Sequence, residues 1–296
     1  KHVLMEKPLA NTEKECLELI RLADETGIVF MIGYIMVYQP LVVKLKELLE
    51  EKAYGDLFHM SIWTEQMTRP RTTWGSTLSG CGGGQLFSHG CHYIDLLLWM
   101  MGRPECGTHV GTTYGTPWMD PQMEGTSNIC MRFENGATAY HFGTWGARGT
   151  RLRYSIHAHC TQGMLELDFA AGELRLIQDP RAIKAAESPR PLTLEEARHN
   201  QADRSLTEKV EVLLKLEAAA EGRSVIKASE RQVNHFVDCI LNDKHPHTDA
   251  RRSLQSLRIV WKLYEAERKG QVADLRGISF DQVDVSRELC EPVPGV

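Results

Sequence analysis

The residues best suited to chemistry follow a run of glycines. After Gly80-Cys-Gly-Gly-Gly84 come Ser88, His89, His92 and Asp95. His89 and His92 are three residues apart, as are His92 and Asp95, so each pair shares a face if the segment is helical. Histidine is the side chain best suited to accept and return a proton near neutral pH. The segment therefore predicts an acid/base site at the start of a helix, although a helix cap with a hydrogen-bonded core histidine gives the same pattern.

A lysine near the start of the chain is the second candidate. Glu6-Lys7-Pro8 directly follows the apolar segment His2–Met5, which we interpret as a parallel strand. Ligands of open α/β sheets bind outside the carboxyl ends of such strands. A residue before proline is biased toward an extended backbone or a cis bond, which fixes the ammonium in one place. Lys7 could therefore bind a ligand at this edge, or it could be an ordinary surface lysine.

The elements that must position these residues begin with a strand, a helix and a second strand. The strand His2–Met5, a helix from Asn11 to Thr26 and the apolar strand Ile28–Gly33 match a right-handed βαβ unit. Gly27 is the expected end of the helix. A short buried strand such as His2–Met5 needs neighbours on both edges. We therefore expect the chain to be a fragment of a longer protein.

Alternating apolar and polar residues further along predict a large, mostly antiparallel sheet with one face buried and the other available. Glu134-Asn135-Gly136, between two of these segments, is a strong β-hairpin signal. The expected strands are 58–64, 108–114, 127–133, 137–145, 152–160 and 164–169. Helices are expected at 41–51, 84–101, 206–220, 229–241 and 250–269, and loop or edge structure at 178–203.

Together the two candidate segments resemble the Gfo/Idh/MocA family of sugar and cyclitol oxidoreductases. That family has Glu-Lys-Pro after a late strand of a Rossmann domain. It then has a Gly-Gly-Gly-x-Leu-x-Asp-x-Gly-x-His-x-x-Asp helix start and a large open-faced sheet. The C-terminal residues also follow its spacing, namely Phe236-Val-Asp-Cys-Ile240, Pro246, Asp249, Ser253-Leu254 and Ile259 to Ala266. The resemblance covers essentially the whole chain in order.

The resemblance implies an α/β fold in two parts. Residues 1–34 would be the C-terminal remnant of a dinucleotide-binding Rossmann domain, a residual βαβ unit. Residues 35–296 would be an α+β domain for substrate binding and oligomerisation, with a large, mostly antiparallel, open-faced sheet. Two features depart from the family. The sequence has no Gly-x-Gly-x-x-Gly fingerprint, so we expect this chain on its own to bind NAD(P) poorly. Ser88 stands where the family often has an aspartate, which removes a carboxylate.

The resemblance also implies roles for single residues in an NAD- or NADP-dependent dehydrogenase. Lys7 would bind the substrate hydroxyl and stabilise its oxyanion character, and His92 would act as the general base while hydride leaves the same carbon. Glu6, Lys7 and Pro8 would contact the cofactor. The substrate, a sugar, cyclitol or related polyol, would be bound by Lys7, Trp74, Ser88, His89, His92 and Asp95. For Trp74, simple packing is the alternative.

Composition excludes several other classes of protein. The 296 residues are 42% hydrophobic and carry a net charge of −5, so we expect neither a disordered chain nor a dedicated nucleic-acid-binding protein. No apolar run approaches the ~20 residues that a membrane span needs. The eight cysteines are scattered and include no Cys-x-x-Cys pair. This pattern predicts a reducing compartment, the cytoplasm, rather than a disulfide framework.

Two other interpretations of the sequence stay open. His157 and His159 share a strand face and could begin a zinc site. Histidines on an exposed or subunit-facing surface explain the pair as well, and we expect no metal. The chain could also be a non-catalytic remnant that keeps only the substrate and oligomerisation domain.

The available face of the sheet predicts a homo-oligomer. Alternation places Ala139, His141, Gly143 and Trp145 opposite Tyr140, Phe142 and Thr144, and both sets are too apolar or aromatic to be plainly solvent-facing. In the next strand, Ser155, His157 and His159 form an uncharged polar set that suits a partly wet interface. A two-fold pairing of sheet faces would bury the same patch on both copies, and the family resemblance implies the same association. Other parts of the same protein could cover the face instead.

Overall fold

A computed structural model of the chain describes residues 1–69, 74–188, 190–191, 193–196, 209–216 and 226–280. Its first element is a βαβ unit, in which strands β1 (Val3–Met5) and β2 (Phe30–Ile32) pair in parallel and helix α1 (Glu13–Thr26) joins them. A capping box starts the helix, since Thr12 Oγ1 accepts from the Glu15 N–H while the Glu15 carboxylate accepts from the Thr12 N–H. The expected βαβ unit is confirmed.

The remaining strands of the described residues form one nine-stranded sheet in the order β10-β9-β8-β7-β3-β6-β5-β4-β11. Its strands are β3 (Leu57–Glu65), β4 (Pro104–Thr112), β5 (Thr126–Phe133), β6 (Thr138–Thr144), β7 (Tyr154–Cys160), β8 (Gly163–Asp168), β9 (Glu173–Gln178), β10 (Lys209–Lys215) and β11 (Ala273–Asp274). Strands β3 and β6 pair in parallel, and the other neighbours are antiparallel. The α/β fold with a large, mostly antiparallel sheet is therefore confirmed.

Besides α1, the described residues form six α-helices, of which the first and the last contact strands of this sheet. They are α2 (Pro40–Glu50), α3 (Leu78–Cys81), α4 (Cys91–Met101), α5 (Pro180–Ala186), α6 (Ile226–Leu241) and α7 (Ala250–Lys269), and a π-helical turn at Leu86–Gly90 leads directly into α4. Ten of the eleven residues of α4 are buried, as is typical of a helix that is apolar on all sides. One hydrophobic core joins α1, β2, α4 and α7 to the sheet. The boundary between residues 1–34 and 35–296 stays a prediction.

The two faces of the sheet differ in burial. On the face toward the helices, Met60 pairs with Ala139 and Ile62 pairs with His141, and all four side chains are buried. On the opposite face lie partly buried aromatic and polar side chains. These are His59, Trp63, Tyr140, Phe142, His157 and His159. We call this the open face.

Trp145 lies away from the open face. It is 6% exposed and packs with Cys81, Met119 and Met123 in a small separate cluster. Alternation correctly groups Trp145 with Ala139 and the other helix-facing residues of β6. Other parts of the same chain cover this set, so it does not contribute to the open face.

Two expectations for the second half of the chain are wrong. The helix expected at 206–220 is strand β10 over Lys209–Lys215, which pairs antiparallel with β9; the flanking residues 206–208 and 217–220 lie outside the described residues. Alternating Val210 and Val212 suit the unpaired edge of β9, and this pairing overrides the helical propensity of the segment. Loop or edge structure expected from 178 is interrupted by α5, where Asp179 caps the helix and Pro180 occupies its first position.

Candidate active site

Lys7 joins the two candidate segments. It follows β1, and the Lys7–Pro8 peptide bond is cis. The partly buried Lys7 Nζ donates a hydrogen bond of 2.7 Å to the carbonyl oxygen of Ser88, 81 residues away. The structure thus brings the strand end and the histidine segment to one place.

The second residue of the site, His92, is a buried, neutral histidine. It lies in the first turn of α4 and is 8% exposed. Burial holds the pKa of His92 well below its usual value, and the positive charge of Lys7 and the neighbouring His89 lower it further. Nδ1 is buried and has no hydrogen-bond partner among the described residues. At neutral pH the imidazole is therefore unprotonated, which is the state in which a general base must start.

His89 lies beside His92, and their ring centroids are 6.2 Å apart. Burial, with Lys7 as the second cause, lowers the pKa of His89 to about 4. Gln85 contacts the ring, since its Nε2 is 3.3 Å from His89 Nδ1. Two neutral imidazoles and one ammonium therefore share the site.

Aromatic rings surround the two histidines. The ring of Tyr34 meets His92 edge-on at 5.6 Å, and Tyr154 meets His89 at 5.9 Å. Tyr93 stacks on His141 at 5.2 Å, which fixes α4 against β6. These contacts exclude water from the imidazoles, and the exclusion is the physical origin of their low pKa values.

Gly90 packs closely against the turn that precedes it. A Cβ at this position would lie 2.9 Å from Leu86 and 3.5 Å from His141. Gly90 ends the π-helical turn, a form that often occurs at functional sites. A side chain here would press on Leu86, whereas the distance to His141 of β6 is an ordinary contact.

Asp95, expected among the substrate-binding residues, pairs with a cation on α7. Its two carboxylate oxygens accept hydrogen bonds of 2.7 Å from Arg252 Nε and Nη2, and Ser256 also donates to it. Both side chains of the Asp95–Arg252 pair are almost fully buried. Contact between Asp95 and substrate stays a prediction, and the paired carboxylate disfavours it.

The other expected site residues are placed as follows. Ser88 contributes its carbonyl oxygen to Lys7, and no hydrogen bond of its hydroxyl is found within the described residues. Glu6 is exposed, and Pro8 is half-buried. Trp74 begins a short 3-10 turn, but its side chain and residues 70–73 lie outside the described part of the chain. The roles of these residues in binding stay predictions.

Sequence reasoning missed residues that hold the site from a distance. Glu124, in the loop before β5, accepts hydrogen bonds of 2.8 Å from the Leu86 N–H and from the Tyr264 hydroxyl. Burial raises the pKa of Glu124 to about 7. Arg252 and Gln85 were also missed. Partners such as Glu124 and Tyr264 are 140 residues apart, so no local pattern could have paired them.

Two kinds of site are not seen in the part of the chain that the structure describes. Within these residues, no three His, Cys, Asp or Glu side chains are grouped as a metal site would require. Likewise, none of the described helices has the length and apolar character needed to cross a membrane.

Residues 42–166 match the GFO/IDH/MocA C-terminal domain family. The matched segment contains β3 to β7 and the histidines of the site. This part of the chain matches the model of that domain family, which agrees with the resemblance seen in the sequence.

Two curated relatives match parts of the chain. The 1-carboxy-3-chloro-3,4-dihydroxycyclohexa-1,5-diene dehydrogenase of Comamonas testosteroni is 28% identical over 162 residues, 54% of this chain and 37% of that protein. The 2,7-anhydro-N-acetylneuraminate hydratase of Escherichia coli strain K12 is 25% identical over 183 residues, 60% of this chain and 48% of that protein. The matches thus span less than half the length of these relatives.

The fold is shared with a solved dehydrogenase. Levoglucosan dehydrogenase in complex with NADH and levoglucosan superposes with a TM-score of 0.74 at 20% identity, over 94% of this chain and 75% of that one. At this identity the comparison shows the fold.

Proposed function

We propose that this chain binds substrate and handles the proton in an NAD(P)-dependent dehydrogenase that acts on a sugar, cyclitol or related polyol. One observation carries the proposal: the Lys7 ammonium and the neutral, buried His92 share one site, although they come from separate segments. The domain family and the relative named as a dehydrogenase of a dihydroxy ring compound support the same class of reaction.

The two residues match the needs of alcohol oxidation. Oxidising a hydroxyl-bearing carbon removes a hydride from the carbon and a proton from the oxygen, and leaves a carbonyl. The chemistry that a bound nicotinamide supplies is acceptance of the hydride. His92 accepts the hydroxyl proton, and the Lys7 ammonium stabilises the negative charge that develops on the oxygen. In the reverse reaction, protonated His92 returns the proton to the new hydroxyl.

The edge beyond β1 and β2 fits the nicotinamide end of NAD or NADP. Glu6 and Pro8 flank Lys7 there, and the backbone of Gly33 closes the edge from β2. A Cβ at Gly33 would lie 3.3 Å from both the Glu6 carboxylate and the Met5 carbonyl oxygen, so glycine keeps this approach open. Glu6, Lys7 and Pro8 are the residues that would hold the ring.

Replacement of the two central residues tests the proposal. In the product of the complete coding sequence, Lys7→Ala and His92→Ala should each lower polyol oxidation by about 10²-fold or more, because each removes a group that acts on the reacting hydroxyl. Turnover is measured as NAD(P)H formation with a panel of sugars and cyclitols.

Exposed residues of the same types provide the controls. Lys14→Ala and His245→Ala should leave turnover unchanged, since Lys14 is exposed on α1 and the His245 side chain is 71% exposed. Equal rates in the wild type and both site variants would refute the assignment. A wild-type protein that oxidises none of the substrates would support the non-catalytic remnant instead.

We also propose that a second copy of the protein covers the open face. Trp63 lies near the middle of this face, 5.5 Å from Tyr140 and 5.6 Å from Phe142 between ring centroids. Val110 and Cys130 are exposed on the same side of the sheet. Aromatic side chains are enriched at the centres of interfaces.

A further inference from the structure

The site contains two neutral histidines, and either could accept the substrate proton. We propose that Gln85 is a positioning residue that fixes the tautomer of His89, so that His89 donates a hydrogen bond and His92 alone acts as the base. This inference rests on the proposed function for its kinetic consequence, but the tautomer itself can be observed without catalysis.

Gln85 is held in one place by the fold. It is fully buried, and its main-chain N–H donates a hydrogen bond of 2.7 Å to the carbonyl oxygen of Glu124. Its side-chain amide lies against Gly143 of β6, where a Cβ would fall 2.1 Å from Gln85 Nε2. The absence of a side chain at Gly143 therefore leaves the space in which the Gln85 amide contacts His89.

The direction of the hydrogen bond follows from the placement of the amide. Gln85 Nε2 is 3.3 Å from His89 Nδ1, and Gln85 Oε1 is buried with no partner among the described residues. An amide nitrogen can donate a hydrogen bond but cannot accept one. An unpaired buried N–H is rarer in proteins than an under-satisfied carbonyl. The amide therefore donates, and His89 Nδ1 accepts.

This direction fixes the chemistry of His89. A neutral imidazole has one N–H and one acceptor nitrogen, so a hydrogen bond accepted at Nδ1 places the proton on Nε2. Nε2 makes no hydrogen bond to any described residue, and its N–H is free for a ligand oxygen. His89 can then hold a substrate hydroxyl or carbonyl oxygen. It cannot also accept the substrate proton, because its one ring lone pair already accepts the hydrogen bond from Gln85. His92 has no such partner and keeps a lone pair for the proton.

Nitrogen-15 NMR of the histidine rings tests the tautomer directly. In the wild-type protein at pH 7, His89 should show a protonated Nε2 and an unprotonated Nδ1; its signals are assigned by their loss in His89→Gln. Gln85→Leu removes the donor at similar size, so the two tautomers should exchange and their shifts average. Gln85→Met provides a second, unbranched replacement if the leucine variant does not fold. Gln232→Leu alters another buried glutamine and should leave the His89 signals unchanged.

Kinetics supply the second readout. Gln85→Leu should raise the substrate KM about fivefold with little change in kcat, as expected for one misaligned neutral hydrogen bond. A wild-type His89 protonated on Nδ1, or a tautomer unchanged in both Gln85 variants, would overturn the inference. This result differs from failure of the proposed function, which would leave Lys7→Ala and His92→Ala as active as the wild type whatever the NMR shows.

Discussion

At the scale of single residues, the ion pair of Asp95 provides a way to distinguish a structural role of this residue from a role in substrate binding. Removing one partner of a buried ion pair leaves an uncompensated charge and costs about 3–5 kcal/mol. Asp95→Ala should therefore lower the free energy of unfolding by about that amount, as measured by urea denaturation. The exposed Asp274–Arg276 pair is the matched control, and Asp274→Ala should cause no measurable change. If the Asp95→Ala protein were as stable as the wild type but bound substrate more weakly, Asp95 would instead be a substrate-binding residue.

The sequence indicated the residues proposed for the chemistry, but not the residues that hold them in place. His92 and Lys7 could be found because their local patterns, a glycine run before spaced histidines and a lysine before proline, carry the signal. Arg252 and Gln85 have no such pattern, since the importance of each depends on a partner fixed by tertiary packing. The ion pair of Asp95 could not be predicted for the same reason, because its spacing from His92 says nothing about a cation on α7.

At the scale of elements, Glu124 ties the start of the π-helical turn to α7 and makes stability depend on pH. Burial raises the pKa of Glu124 from 4.5 to about 7, so the folded state binds this proton more tightly than the unfolded state does. The resulting stabilisation is complete below pH 4.5 and is lost as the pH rises through 7.

A neutral replacement should remove this dependence. Glu124→Gln keeps an oxygen that can accept from the Leu86 N–H and from Tyr264, but it cannot ionise. Urea unfolding at several values between pH 5 and pH 8 should show a smaller loss of stability with rising pH in Glu124→Gln than in the wild type. Glu47→Gln, on the exposed side of α2, is the control and should follow the wild type. Parallel curves for Glu124→Gln and the wild type would contradict the prediction.

Secondary structure was predictable where side-chain periodicity and caps agree. The capping box at Thr12 and the alternation of β3 gave the correct elements. Strand β10 was missed because its residues favour a helix in isolation, whereas an unpaired edge of β9 provides main-chain partners for a strand. The π-helical turn was missed for a related reason: it is held by tertiary contacts, such as the hydrogen bond from the Leu86 N–H to Glu124, and a helical pattern does not contain these contacts.

At the scale of the whole molecule, pairing of two copies through their open faces predicts that the protein has the mass of a dimer in solution. Trp63→Glu places a charge among aromatic rings and should convert a wild-type dimer into a monomer, as measured by light scattering at micromolar concentration. Leu22→Glu introduces the same charge at an exposed apolar position on α1, outside the sheet, and should leave the dimer intact. A monomeric wild type, or a dimer that survives Trp63→Glu, would exclude this surface as the interface.

The parallel pairing of β3 with β6 has a consequence for the order of folding. His59 and Thr138, which face each other across these strands, are 79 residues apart in the chain. During synthesis β3 leaves the ribosome long before β6 and β7, which flank it on both edges in the finished sheet. Such long-range closure is slow and leaves strand edges exposed to aggregation. The connection that must close contains the π-helical turn and α4. His89 and His92 therefore reach their final surroundings only as the sheet itself is completed.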